Sequence, residues 1–176
     1  MKTEFEARIL DIDIGSIIKT LVRLGAKKVS DNLMKRFVYD VIPRRKDSWI
    51  RLRFDGNKTT LTVKEMHSDK IDGTRENEIM VDDFDKTNLL LEKLGYFNKG
   101  YQENRRIRYE LDGVEIDLDF WPMIPPYMEI EGKSVAEVEA VIRQLGFSPS
   151  QATSIGVLDV FKKYGIDLES IKELKF

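Results

Sequence analysis

In seven segments of this chain, charged or hydrogen-bonding side chains recur two residues apart, and the positions between them are mostly apolar. In order they are Glu4, Glu6 and Arg8; Arg51 and Arg53; Thr60, Thr62 and Lys64; Glu76 and Glu78; Arg106 and Arg108; Asp117 and Asp119; Glu129 and Glu131. A strand sends side chains i and i+2 to one side of its sheet, so each segment presents one charged face and one apolar face. The apolar faces read Phe5 and Ile9; Ile50, Leu52 and Phe54; Leu61 and Val63; Ile79 and Val81; Ile107 and Tyr109; Ile116, Leu118 and Phe120. Charged faces that look outward are the wet side of an ordinary soluble sheet, and for any single pair that is the commoner reading. Charged faces that converge on an enclosed lumen bind a multiply charged anion with metal ions. Repetition over so many strands, with acids and bases on different strands, favours the enclosed arrangement.

Strands are predicted over residues 3–10, 33–42, 48–54, 58–67, 74–82, 101–111, 114–120 and 127–132. Asp55-Gly56-Asn57 and Asp112-Gly113 turn two hairpins. Asp13 caps a helix running to Leu24, with Ile17, Ile18 and Leu21 on one face and Gly25 as the stop. Asp83 or Asp85 opens a second helix ending before Gly95, and Ser134 with Glu137 forms the capping box of a third. Residues 152–174 read as one or two further short helices. Helix stripes must bury against something, and the apolar strand faces are the available partner. The expectation is one α+β domain over residues 1–176: an eight-stranded antiparallel β-tunnel, a closed barrel with a charged lumen and helices packed outside.

Composition narrows the chemistry. Lys and Arg number 29 against 31 Asp and Glu, a net charge of −2 with no basic footprint for nucleic acid. There is no cysteine, which excludes thiolate metal sites, and the one histidine, His67, reads as a solvent-facing strand end rather than the basis of an imidazole metal site. A metal here is a hard ion on carboxylates. No signal peptide and no apolar run approaching about 20 residues occurs, so a cytoplasmic protein without a membrane partner is expected. No P-loop, GxGxxG or nucleophile elbow is present. Trp49 and Trp121 read as packing residues, and Arg44-Arg45-Lys46 as a solvated loop.

Glu4-Phe5-Glu6-Ala7-Arg8 closely resembles the N-terminal E-x-E-x-K signature of the CYTH family, also called triphosphate tunnel metalloenzymes. Arg51-Leu52-Arg53, Leu61-Thr62-Val63-Lys64, Glu76-x-Glu78, Arg106-x-Arg108, Asp117-Leu118-Asp119 and Glu129-Ile130-Glu131 follow in the family's order. The resemblance covers about residues 3–132. It implies a β-tunnel that holds a linear triphosphate with Mg²⁺ or Mn²⁺, as in class IV adenylate cyclases, thiamine triphosphatases and inorganic triphosphatases. Carried over by position, Glu4, Glu6, Glu129 and Glu131 are the main metal carboxylates, with Glu76, Glu78, Asp117 and Asp119 as additional ligands or water positioners. Arg8, Arg51, Arg53, Lys64, Arg106 and Arg108 hold phosphates, and Glu4, Glu6 and Lys64 stand at the chemistry. Two departures are visible. Arg8 replaces the signature lysine and, being always protonated, is no general base. Thr153-Ser154-Ile155-Gly156 stands where members often carry Ser-Tyr.

Three activities suit this lining: hydrolysis of tripolyphosphate, ATP or thiamine triphosphate; cyclisation of ATP to cyclic AMP and pyrophosphate; and binding of polyphosphate or nucleotide without turnover. The full set of carboxylates argues against a pure anion binder. The absence of an identifiable base pocket favours hydrolysis over cyclisation. Monomer and homodimer both remain open.

Overall fold

The computed structural model describes residues 1–176. Eight strands close a barrel in the order β2-β3-β4-β5-β1-β8-β7-β6, with β6 returning to β2. They are β1 (Lys2–Ile9), β2 (Lys27–Asp40), β3 (Ser48–Phe54), β4 (Thr59–Met66), β5 (Thr74–Val81), β6 (Asn98–Leu111), β7 (Val114–Phe120) and β8 (Tyr127–Gly132). All neighbouring pairs are antiparallel. Four helices lie outside: α1 (Ile14–Arg23), α2 (Phe84–Lys93), α3 (Val135–Gln144) and α4 (Val157–Lys163). The expected α+β barrel is therefore the observed one.

Local chemistry explains the element ends. Asp13, Asp83 and Ser134 accept from backbone N–H groups in the first turns of α1, α2 and α3, so Asp83 rather than Asp85 caps the second helix. Glu137 reaches back to the Lys133 N–H at 2.8 Å, one residue earlier than a capping box requires. At the Asp112-Gly113 turn both residues have positive φ, 52° and 80°, as a tight hairpin between right-twisted strands demands.

Two strands are longer than their pattern predicts. β2 starts at Lys27 and β6 at Asn98, and their mutual pairing closes the barrel. Residues 27–32 carry no apolar alternation, so only their hydrogen bonds to β6 reveal them as strand. The tail holds one α-helix and then an unforeseen two-residue strand, β9 (Glu173–Leu174), parallel to β6 at Tyr101 and Gln102. Gly100 permits that approach, because a Cβ there would lie 2.7 Å from the Ile171 carbonyl.

The outer strand faces form the core. Ala7, Ile9, Ile107, Ile116, Leu118 and Ile130 pack beneath α1 and α3, while Ile50 and Leu52 pack beneath Phe84 and Leu91 of α2. Trp121 and Tyr127, where β7 stops and β8 starts, pack against Val160, Phe161 and Leu168 of the tail. This apolar cluster lies at that end of the barrel. Beside β1 the wall is completed by irregular backbone: the Glu6 N–H donates to Ile71 O at 2.9 Å, and Arg8 exchanges two backbone bonds with Thr153. No helix is long and apolar enough to cross a membrane.

Candidate active site

With the apolar side chains committed outward, the alternate positions turn into the lumen. They line a cavity of ≈ 240 Å³ in which Met34 is the one hydrophobic residue among 17. Of the expected residues, Glu4, Glu6, Arg51, Arg53, Lys64, Glu76, Glu78, Arg106, Arg108, Glu129 and Glu131 all line it. Ser30, Asn32, Asp55, Lys58 and Glu115 complete it at the open mouth.

The strand order sorts the charges. Acids project from the contiguous strands β5, β1, β8 and β7, and bases from β6, β2, β3 and β4, so one wall is acidic and the facing wall basic. Arg8 on β1 is the exception. The walls meet at two seams. At one, Lys64 Nζ lies 2.8 Å from both Glu4 oxygens and 3.6 Å from Glu76. At the other, Arg106 binds Asp117, Asp119 and Glu129, and Arg108 binds Asp117 and Glu115. These pairs allow such charges to be buried at all, since an unpaired one costs several kcal/mol.

Between the seams, both walls are short of counter-charge. On the basic side, Arg51 and Arg53 reach only Glu78, at 3.6 and 3.8 Å, and Thr62 holds that carboxylate at 2.8 Å. The Nε–H groups of Arg51 and Arg53 are buried without an acceptor. The repulsion of Arg51, then burial, lowers the Arg53 guanidinium to about 10. On the acidic side, Glu6, Glu131 and Glu115 stand directly opposite one another on β1, β8 and β7. Glu131 has no cation within ion-pair distance; burial, then Glu4, Glu129, Glu6 and Glu115, pushes its carboxyl up to about 7. A basic wall with orphaned donors beside an acidic wall with an unneutralised carboxylate is matched to a polyanion and a cation bound together.

No three carboxylates converge on one ligating point here, because Glu4 is turned to Lys64, Glu6 to Arg8, and Glu129 to Arg8 and Arg106. The donor set is nonetheless all hard oxygen, and the unpaired Glu131 sits within it, which fits a small divalent cation. A stability consequence follows. A carboxyl raised in the fold from about 4.5 to about 7 contributes stability that is complete below the lower value and is lost as pH rises through the upper. Metal-free protein should therefore lose roughly 3 kcal/mol between pH 5 and 8 from this group. Thermal unfolding in chelator, comparing wild type with Glu131→Gln, reads it directly. A gap between the two proteins that does not change with pH removes the assignment.

Three expected residues lie outside the cavity lining. Arg8 is buried, donating to the Ile155 carbonyl at 2.8 Å and pairing with Glu129 at 2.6 Å and Glu6 at 3.2 Å. Asp117 and Asp119 lie in the floor, engaged by Arg106 and Arg108, and Asn104 donates to Asp119 at 2.9 Å. The Ser154 hydroxyl, in the stretch lacking the Ser-Tyr dipeptide, donates to Glu6 O at 2.9 Å and so pins β1. Trp121 packs under the floor rather than lining the cavity.

Sequence reading missed Arg36 and Asn104. Arg36 is flanked at i±2 by Met34 and Val38, so it forms no charged pair, and Asn104 is neutral. Their only sequence signal is that they continue the inward positions of β2 and β6.

The CYTH domain family model matches residues 18–164, beginning after the Glu4–Arg8 signature. No curated protein matches the chain. Among solved structures, the PH1012 protein of Pyrococcus horikoshii superposes with a TM-score of 0.75 at 22% identity, covering 87% of this chain and 96% of its own. A Vibrio parahaemolyticus protein named as a candidate adenylate cyclase gives 0.78 at 14%, covering 92% and 98%. HpAC1 of Hippeastrum, described as having a dominant triphosphatase activity, gives 0.63 at 18%, covering 96% and 99%. These likenesses are likenesses of fold. The family match spans most of the length and its fold encloses the charged lumen just described: the chain belongs to the CYTH family.

Proposed function

We propose that this protein is a divalent-metal-dependent triphosphatase acting on a short linear triphosphate. The observation that carries the reading is the pair of opposed walls on one cavity, cationic donors without acceptors on one side and carboxylates in excess on the other. Glu4, Glu6, Glu129 and Glu131, with Glu76 at their edge, would hold Mg²⁺ or Mn²⁺, which would supply charge neutralisation at the phosphate oxygens. Arg51, Arg53, Arg106 and Arg108 grip the chain of phosphates, with Arg51 and Arg53 the freer pair. Lys64 fixes Glu4 and offers its remaining N–H to a phosphate oxygen. Glu4 or Glu6 orients the attacking water. Phosphoryl transfer rests on positioning and charge, so fixed walls suffice and no covalent nucleophile is needed.

Cavity size and lining support hydrolysis of a compact substrate. A volume of ≈ 240 Å³ falls below the about 300–1,000 Å³ that encloses a drug-sized ligand. No aromatic ring lines it, so nothing there stacks on adenine. The dominant triphosphatase activity described for HpAC1 points the same way. The deciding assay incubates the protein with Mg²⁺ or Mn²⁺ and, separately, tripolyphosphate, ATP and thiamine triphosphate. Orthophosphate released fastest from tripolyphosphate is the expected result; cyclic AMP with pyrophosphate from ATP would replace this reading by the cyclase one. Arg51→Ala should raise the KM for tripolyphosphate by about 10-fold or more and leave that for a monophosphate ester nearly unchanged. Equal shifts for both substrates would show that Arg51 does not grip the phosphate chain.

A further inference from the structure

Arg36 is the one buried cation that forms no ion pair, and it lies just behind the residues that line the cavity. It is 6% exposed, projects inward from β2 directly opposite Arg53 of β3, and forms no ion pair. Its guanidinium lies 4.5 Å over the Trp121 ring, and one of its N–H groups donates to Asn104 Oδ1. Its Nε–H is buried with no acceptor. Asn104 brings no charge to neutralise it: its oxygen accepts from Arg36 while its NH2 donates to Asp119, so the amide only bridges the guanidinium to that carboxylate. A buried guanidinium that served only to hold the fold would carry a carboxylate, as Arg8 does.

We propose that Arg36 is a further anion-binding residue of this tunnel. Set behind Arg51 and Arg53, which line the cavity, it adds a third guanidinium to that end and draws in the terminal phosphoryl group of a linear polyphosphate chain. This inference rests on the triphosphate reading above and adds a residue and a direction to it. Depth sets the direction. The mouth is lined by Ser30, Asn32, Asp55 and Lys58, whereas Arg36 lies over Trp121, which with Tyr127 packs on the apolar tail. A phosphate chain therefore enters end first, and the end that arrives deepest carries the extra negative charge of a terminal phosphoryl. Burial and the charges of Arg51, Arg53 and Arg106 lower the Arg36 guanidinium to about 9, consistent with a seat strained by its own repulsion until an anion arrives. Trp121, braced edge-on by Phe161 at 5.7 Å, holds the guanidinium plane in place.

The test is thermal unfolding of the intact protein in chelator, with and without tripolyphosphate, for wild type, Arg36→Gln and Arg36→Lys. Without ligand, Arg36→Gln should melt at or above the wild-type temperature, since it removes a like charge from the cluster. Its tripolyphosphate-induced gain in Tm should collapse, with the apparent Kd raised at least ~10-fold, and Arg36→Lys should keep most of the gain. If Arg36→Gln melts lower and keeps the full gain, Arg36 is a structural residue and the inference is overturned. If wild type itself gains nothing from tripolyphosphate, the triphosphate reading fails first and takes this one with it. Polyphosphate blocked at both ends should bind far more weakly than the free-ended chain; equal binding would overturn end-first entry.

Discussion

Arg106→Ala should destabilise the fold by about 3–5 kcal/mol, the largest stability loss expected from any single lumenal change. Its guanidinium binds Asp117, Asp119 and Glu129 at once, and Asp119 has no exposed surface. Alanine leaves the fully buried Asp119 without any cation and removes one of two cationic partners from Asp117, which keeps Arg108, and from Glu129, which keeps Arg8; the loss of hydrogen bonds to charged groups adds to the desolvation penalty. For a chain of this size that corresponds to roughly 10 °C in Tm. Thermal unfolding followed by circular dichroism measures it. A variant melting within roughly 2 °C of wild type would show that the acids there do not depend on Arg106. The contrast with Arg51→Ala matters. Both arginines line the cavity, yet Arg51 has only a long contact to Glu78, so its loss should weaken substrate binding and spare the fold.

Glu6→Gln should reduce metal-dependent phosphate release by at least about 100-fold at saturating Mn²⁺ while the melting temperature stays near wild type. Glutamine keeps the shape of the side chain and an oxygen for Arg8, 3.2 Å away, but removes the charge needed by a hard cation. Glu4→Gln should lose activity to the same degree with an added stability cost, because Lys64 then lacks the partner that meets it with both oxygens. Titrating Mn²⁺ against initial rate for each variant separates weaker metal binding from a slower step. Undiminished turnover in Glu6→Gln would remove the metal assignment from β1.

Much of the architecture was legible before any coordinates. The alternation that placed Glu4, Glu6, Arg51, Arg53, Glu129 and Glu131 on one face of their strands is local, set by the two-residue repeat of an extended chain. The helix ends at Asp13, Asp83 and Ser134 were equally local, since a cap is a short polar side chain beside its own first turn. Residues 27–32 were invisible because their strand character comes from β6, some 75 positions away in the pairing of Asp31 with Ile107. Arg36 was invisible for a related reason. A lone inward arginine between Met34 and Val38 looks like any exposed one until the barrel closes over it.

The chain's own order therefore specified the strands, their inward faces and the chemical types lining the lumen, because each follows from contacts within a few residues. It left open which acids face which bases. That pairing comes from the strand order around the barrel, which sets β5, β1, β8 and β7 side by side against β6, β2, β3 and β4. The same closure withdrew Arg8, Asp117 and Asp119 from the cavity into supporting ion pairs and left Arg51, Arg53, Arg36 and Glu131 under-compensated. Charges buried in a shared low-dielectric space take their energies from every neighbour at once, and those neighbours exist only after the ends of the sheet have met.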